Sequence, residues 1–285
     1  MKELLDHYDG LIVKLRRDYR LTSEYFDSVA VHELRVDIKR LRALLAFAGS
    51  LRPGNRFLAT QDRFEKLFKR AGKLRHFQLL LELTKRHMDE LGLRLDSYFN
   101  FLKQNELRER KRYREFCRKF DQHFLERNRQ RFAEDVAEQD GAEIPKRLLD
   151  HFHGLLSQLR GARIESNSLP ETYHAVRILA KETRYSLEML RKCSEPNATY
   201  DELDRLLMGL HQALGAWHDF DLAAADLQQY VSQCDLENIG SPESFSRFAA
   251  ALSTERDLQL ELFRARWLDF GIRHSEVEFA SVSGE

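Results

Sequence analysis

Two stretches of the 285-residue sequence carry the pattern His-x2-Arg-x3-Lys-x2-Arg: His32, Arg35, Lys39 and Arg42, then His174, Arg177, Lys181 and Arg184. At roughly 100° per residue, the first four fall at about 0°, 300°, 340° and 280°, one sector about 80° wide on a helix. Leu34, Ile38, Leu41 and Leu45 fall near 180–240°, so the cationic stripe borders an apolar face. Val176, Ala180 and Leu187 do the same for the second set. The bland reading of such a stripe is a solvated face laced with salt bridges. Here, however, the neighbours three and four residues apart are other cations, which repel by a few tenths of a kcal/mol per pair. A self-repelling stripe present twice calls for an external anion. A histidine at its head donates to that anion when protonated.

The elements that must hold these stripes are helices. Leucine occurs 45 times, valine and isoleucine together 16 times, and glycine plus proline 18 times, a composition that favours helix over strand. Pro53-Gly54, Pro170, Ser194 to Asn197 and Ser241-Pro242 divide the chain into helical stretches near 3–20, 26–51, 56–88, 95–131, 144–162, 170–193, 199–234 and 242–271. That is four helices twice. Leu4 to Leu11 recurs as Leu148 to Leu155, and eight of the thirteen positions from Leu4 to Arg16 are identical to their counterparts. Gly72 pairs with Gly215 and Phe77 with Phe220 at nearly the same offset. The reading is a duplicated unit of about 143 residues. It gives an all-α fold of two four-helix bundles related by a pseudo-twofold, 1–138 and 139–285 within one domain of 1–285. The acidic Glu134–Glu143 segment is the expected boundary.

Val31 to Arg42, Tyr173 to Tyr185 and Leu214-Gly215-Ala216-Trp217-His218-Asp219-Phe220-Asp221 resemble the conserved histidine α-helical domain (CHAD) family. The resemblance covers essentially the whole chain. It implies two helical bundles around a basic central channel that binds inorganic polyphosphate, with His32, Arg35, Lys39, Arg42, His174, Arg177, Lys181 and Arg184 lining it. The family's basic-Asp-apolar-Asp motif is kept as His218-Asp219-Phe220-Asp221, with Asp219 and Asp221 as supports for arginines. The first half departs from it: Arg75-His76-Phe77-Gln78 has neither acid, leaving its cations less buttressed or His76 as an extra anion contact.

Secondary candidates are Lys69, Lys73 and His76, which share one helical face, Arg112 with its repeat counterpart Arg256, and His218. Between Phe101 and Arg131, 11 basic residues face 5 acidic ones all round the helix, so most are solvated. Phe116, Phe120 and Phe124 at helical spacing are assigned to the core.

Composition sets limits on function. Lys+Arg and Asp+Glu both number 46, and the neutrality is a cancellation: 31 basic against 23 acidic residues up to residue 140, and 15 against 23 beyond it. No apolar run approaches the roughly 18 residues of a membrane span, and the start lacks a signal-peptide core. The three cysteines, Cys117, Cys193 and Cys234, lie far apart, indicating neither disulfide framework nor thiolate metal site. The expectation is a cytoplasmic, non-enzymatic polyphosphate-binding protein with no cofactor or metal, associated with polyphosphate granules or a polyphosphate-metabolising enzyme. The alternatives are a metal-dependent phosphohydrolase or phosphotransferase using Asp219 and Asp221, a nucleic-acid binder using 101–131, and an inert helical scaffold.

Overall fold

The computed structural model describes residues 2–52, 54, 56–139, 143–165, 168–233 and 241–275, the side chains of 272–275 excepted. Pro53, Cys234 and part of the expected 134–143 boundary lie outside the described residues. Nine helices and no strand form among them: α1 (Lys2–Tyr25), α2 (Ser28–Ser50), α3 (Leu58–Leu91), α4 (Asp96–Lys119), α5 (Phe124–Ala137), α6 (Glu143–Gly161), α7 (Pro170–Cys193), α8 (Ala198–Gln233) and α9 (Pro242–Ser275).

Local chemistry sets several of the ends. The Asp27 carboxylate accepts the Ala30 N–H at 2.7 Å and so caps α2. Gly92 closes α3 at φ +63, a left-handed conformation that costs glycine little. Pro170 opens α7, where its missing N–H is no loss. Ser241 caps α9, its hydroxyl accepting the Ser244 N–H at 3.4 Å.

One expected helix is two. The stretch expected at 95–131 breaks after Lys119 without proline or glycine. There the Asp121 carboxylate takes the His123 N–H at 2.8 Å, a local bond that competes with helix continuation. The turn sets Phe124 edge-on to both Phe120 and Phe64, burying it at 3% exposure. Phe116 and Phe120 pack against the core only partly buried. The first half therefore holds five helices, α4 and α5 together standing where the second half has α9. Glu134 and Asp135 are not linker: they sit in α5, where Arg56 bonds both, at 3.0 and 2.7 Å.

Packing does not follow the duplication. One core joins both halves, from Leu4 on α1 through Leu34, Ile38, Leu41 and Leu45 on α2 to Val176, Ala180 and Leu187 on α7 and Leu214 on α8. A second, smaller core is made where the far ends of the α3–α4 and α8–α9 hairpins meet, around Tyr98, Leu102, Phe220 and Phe248. The long hairpins reach past the first core, and their apolar tips bury each other. α2 and α7 pack side by side at the centre.

Candidate functional site

The central α2–α7 pair presents its cations to a cavity of about 820 Å³, roofed by α3, α6 and α8. That is within the size range of small-ligand sites. The apolar flank predicted beside each stripe is fully buried (Leu34, Ile38 and Leu41 on α2, Ala180 and Leu187 on α7), and this fixes the roll of both helices. With the roll fixed, Arg35, Lys39 and Arg42 face Arg177 and Lys181 across the cavity.

Arg35 is held from two sides. Its Nη1 donates to the Phe68 carbonyl at 2.8 Å, and the guanidinium lies 3.9 Å from the centre of the Phe68 ring. The Lys39 ammonium stands 5.1 Å from the same ring. Lys39 on α2 and Lys181 on α7 are side by side within hydrogen-bonding reach. Among the described residues neither has a carboxylate at ion-pair distance, and the buried Arg177 Nε has no hydrogen-bond partner.

The electrostatic consequence is a set of cations held against their preference. Burial first, and then the neighbouring arginines, push Lys39 down to about 8. Burial, Lys39 and Arg177 push Lys181 down to about 6. Burial and the positive charges of Arg177 and Arg75 take Arg35 down to about 10. Six cations line the cavity against three carboxylates, Glu65, Glu182 and Asp219. Burial raises Asp219 despite the attraction of Arg177 and Arg75, which come from opposite halves of the chain. One aspartate thus lies between cations of both repeats, where the first repeat lacks its own.

Of the residues singled out in the sequence, Arg35, Lys39, Arg42, His76, His174, Arg177, Lys181, His218 and Asp219 line the cavity. Two of these have carboxylate partners: Arg42 pairs with Glu65, itself on the cavity wall, and His76 Nε2 lies 3.2 Å from Asp226. The others are not brought to the cavity wall. His32 is exposed at the head of α2. Arg184 turns away to Asp204, 2.9 Å from its Nε. Lys69 is exposed and paired with Glu65 at 3.3 Å, and Lys73 is exposed beside it. Arg112 pairs with Glu109 at 2.8 Å. Arg256 pairs with Asp257 at 3.1 Å and Asp221 at 3.7 Å, which accounts for both members of that pair away from the cavity.

Sequence reasoning missed Phe68, Arg75 and His151 as lining residues. Arg75 is the repeat counterpart of His218, so the offset contained it. His151 lies in the repeated Leu-Leu-Asp-His segment, but His7, its counterpart, sits among Glu188, Lys192, Arg40 and Lys14 instead. Nothing in the sequence distinguishes those two histidines. What approaches Gly72 is the Arg35 guanidinium, while its repeat counterpart Gly215 has open space.

A cavity lined by cations of two equivalent helices thus lies at the centre of an all-α fold. Residues 9–228 match the CHAD domain, and the chain belongs to that family. Among solved structures, the CHAD domain from the plant Ricinus communis aligns with a TM-score of 0.74 at 20% identity, over 94% of this chain and 91% of that one. PptA from Streptomyces chartreusis aligns with a TM-score of 0.64 at 17% identity, over 94% and 98% of the two chains. At these identities the likeness is one of fold. No curated protein matches the chain.

Proposed function

We propose that this protein binds linear inorganic polyphosphate in the α2–α7 cavity, as a binding module rather than an enzyme. The observation that carries the reading is the meeting of Lys39 and Lys181, with Arg35 and Arg177 beside them, without a carboxylate close enough to neutralise the lysines. Burying such a group without counter-charge is costly, and an anion with many oxygens relieves it. A chain of phosphates suits two facing rows of cations better than a single small anion. Each charge-assisted hydrogen bond contributes about 1.5–3 kcal/mol, so a few suffice for tight binding. Among the described residues no helix is long and apolar enough to cross a membrane. A cytoplasmic protein that attaches to polyphosphate granules, or brings a polyphosphate-metabolising enzyme to them, fits the same chemistry.

Calorimetric titration with long-chain polyphosphate and, separately, with orthophosphate tests the proposal. The expected result is tight binding of the polymer, weak binding of the monomer, and loss of polymer affinity with rising salt. Equal, millimolar binding of both overturns it. Release of orthophosphate in the presence of magnesium or manganese, abolished by Asp219→Ala, would replace the binding role with a hydrolytic one.

A further inference from the structure

Polyphosphate binding uses Lys181 as a cation, yet its surroundings suit it to a second chemistry. The groups facing it are Lys39 on α2, Arg177 on its own helix, and His211, His218 and Asp219 on α8. Lys39 and Arg177 act on its amine more strongly than Asp219 does, and burial with the same cations lowers both histidines, to near 3 and 4. Burial and both neighbouring cations disfavour the ammonium form of Lys181. Desolvation next to another cationic group is a recognised way of turning lysine into a nucleophile. The same cavity offers Arg35 and Arg177 to a phosphate group and has space for more than a phosphate.

We propose that Lys181 is a self-modification site for acyl phosphates, the cavity arginines holding the phosphate while the Lys181 amine takes the acyl group. The amine lone pair forms an N–C bond to the carbonyl carbon. The C–O bond to phosphate breaks, orthophosphate leaves with the electron pair, and one amine proton passes to solvent. The Lys39 ammonium, in hydrogen-bonding reach of Lys181, stands where it can stabilise the carbonyl oxygen as it gains charge. The product is an amide: one cation of the row is permanently lost and an acyl group stands in the cavity, so the modification opposes polyanion binding. This anchoring rests on the cavity being a phosphate site.

The size of the effect follows from two opposed terms. At pH 7.4 an ordinary lysine is neutral in roughly one molecule in a thousand, whereas an amine near 6 is almost wholly neutral. A less basic amine is also a weaker nucleophile, and a slope of about 0.4–0.5, as for thiols, takes back roughly a hundredfold. A net advantage of about tenfold remains.

The test incubates the full-length protein with acetyl phosphate at pH 7.4 and follows each lysine by peptide mass spectrometry. Lys181 is expected to acetylate about tenfold faster than the exposed Lys73 and Lys111, and long-chain polyphosphate should abolish the preference. Lys39→Met, which removes the like-charged neighbour, should bring the Lys181 rate down toward that of the exposed lysines. A Lys181 no faster than Lys73 in the wild-type protein overturns the inference. Calorimetry on the same preparation separates the two failures. Polyphosphate binding with a sluggish Lys181 sinks only the acylation, whereas fast Lys181 acetylation without polyphosphate binding sinks only the polymer reading.

Discussion

A methyl group on Gly72 would stand 2.3 Å from Arg35 Nη1. The atom in the way is the far end of a flexible side chain, so the helix can absorb alanine at position 72 by ejecting the guanidinium from its seat on Phe68. Gly72→Ala is therefore expected to lower polyphosphate affinity by about tenfold, the worth of one charge-assisted contact, while leaving the thermal midpoint little changed. Gly215 has open space around a Cβ, so Gly215→Ala should gain about 0.5–1 kcal/mol of helix stability and bind normally. Parallel calorimetry and thermal denaturation of the two variants check the contrast; equal binding loss in both would show that Arg35 is not the reason for Gly72.

Binding should draw in protons. The ordinary lysine value is 10.5, and the folded protein holds Lys39 near 8 and Lys181 near 6. A polyanion favours the ammonium forms and raises both, so affinity is expected to increase as pH falls from about 8 toward 6. The histidines heading the two stripes, His32 and His174, are expected from the sequence to favour the anion when protonated. The lysines add a pH dependence of their own, between about 8 and 6. For the empty protein the sign reverses: both lysines contribute most stability above 10.5, and Lys181 loses its share as pH falls toward about 6. Titration in two buffers of different ionisation enthalpy measures the proton uptake directly, and equal heats in both would contradict it.

Two arginines from one motif should behave differently when removed. Arg177→Ala takes away a cavity cation that has no ion-pair partner among the described residues and should cut polyphosphate affinity by at least about tenfold with little loss of stability. Arg184→Ala breaks a partly buried pair with Asp204, which also receives Arg191 at 3.1 Å. It should lower stability by about 1 kcal/mol and leave binding intact. Measuring melting and binding for each variant decides it.

Asp37, on α2 away from the cavity, is 2% exposed, and burial raises it to about 6 despite Arg40 at 3.5 Å. A carboxylate raised on folding contributes its stability below about 3.8 and loses it as pH rises through about 6. Asp37→Asn is therefore expected to stabilise the protein by about 1–3 kcal/mol at pH 7.5, the gain shrinking as pH drops below 6. Arg40 keeps Glu188 at 3.0 Å, so the variant leaves no orphaned cation. Denaturant unfolding at two pH values reads the difference.

By itself the sequence determined the helices, the duplication and the roll of α2 and α7, because a 3.6-residue period written in leucine fixes which face a helix must bury. Once Leu34, Ile38 and Leu41 point inward, Arg35 and Lys39 have one direction left. Composition and spacing carried no information on where that face meets another, and there the tertiary structure decided. It broke the fourth helix at Asp121, merged the cores of the two halves, and gave Asp219 to cations from both. It also sent Arg184, identical in motif to Arg42, out to Asp204. A cation's role depends on which charge stands within a few ångströms once the chain has folded, and for Lys39 and Lys181 that neighbour comes from the other half of the chain, 142 residues away.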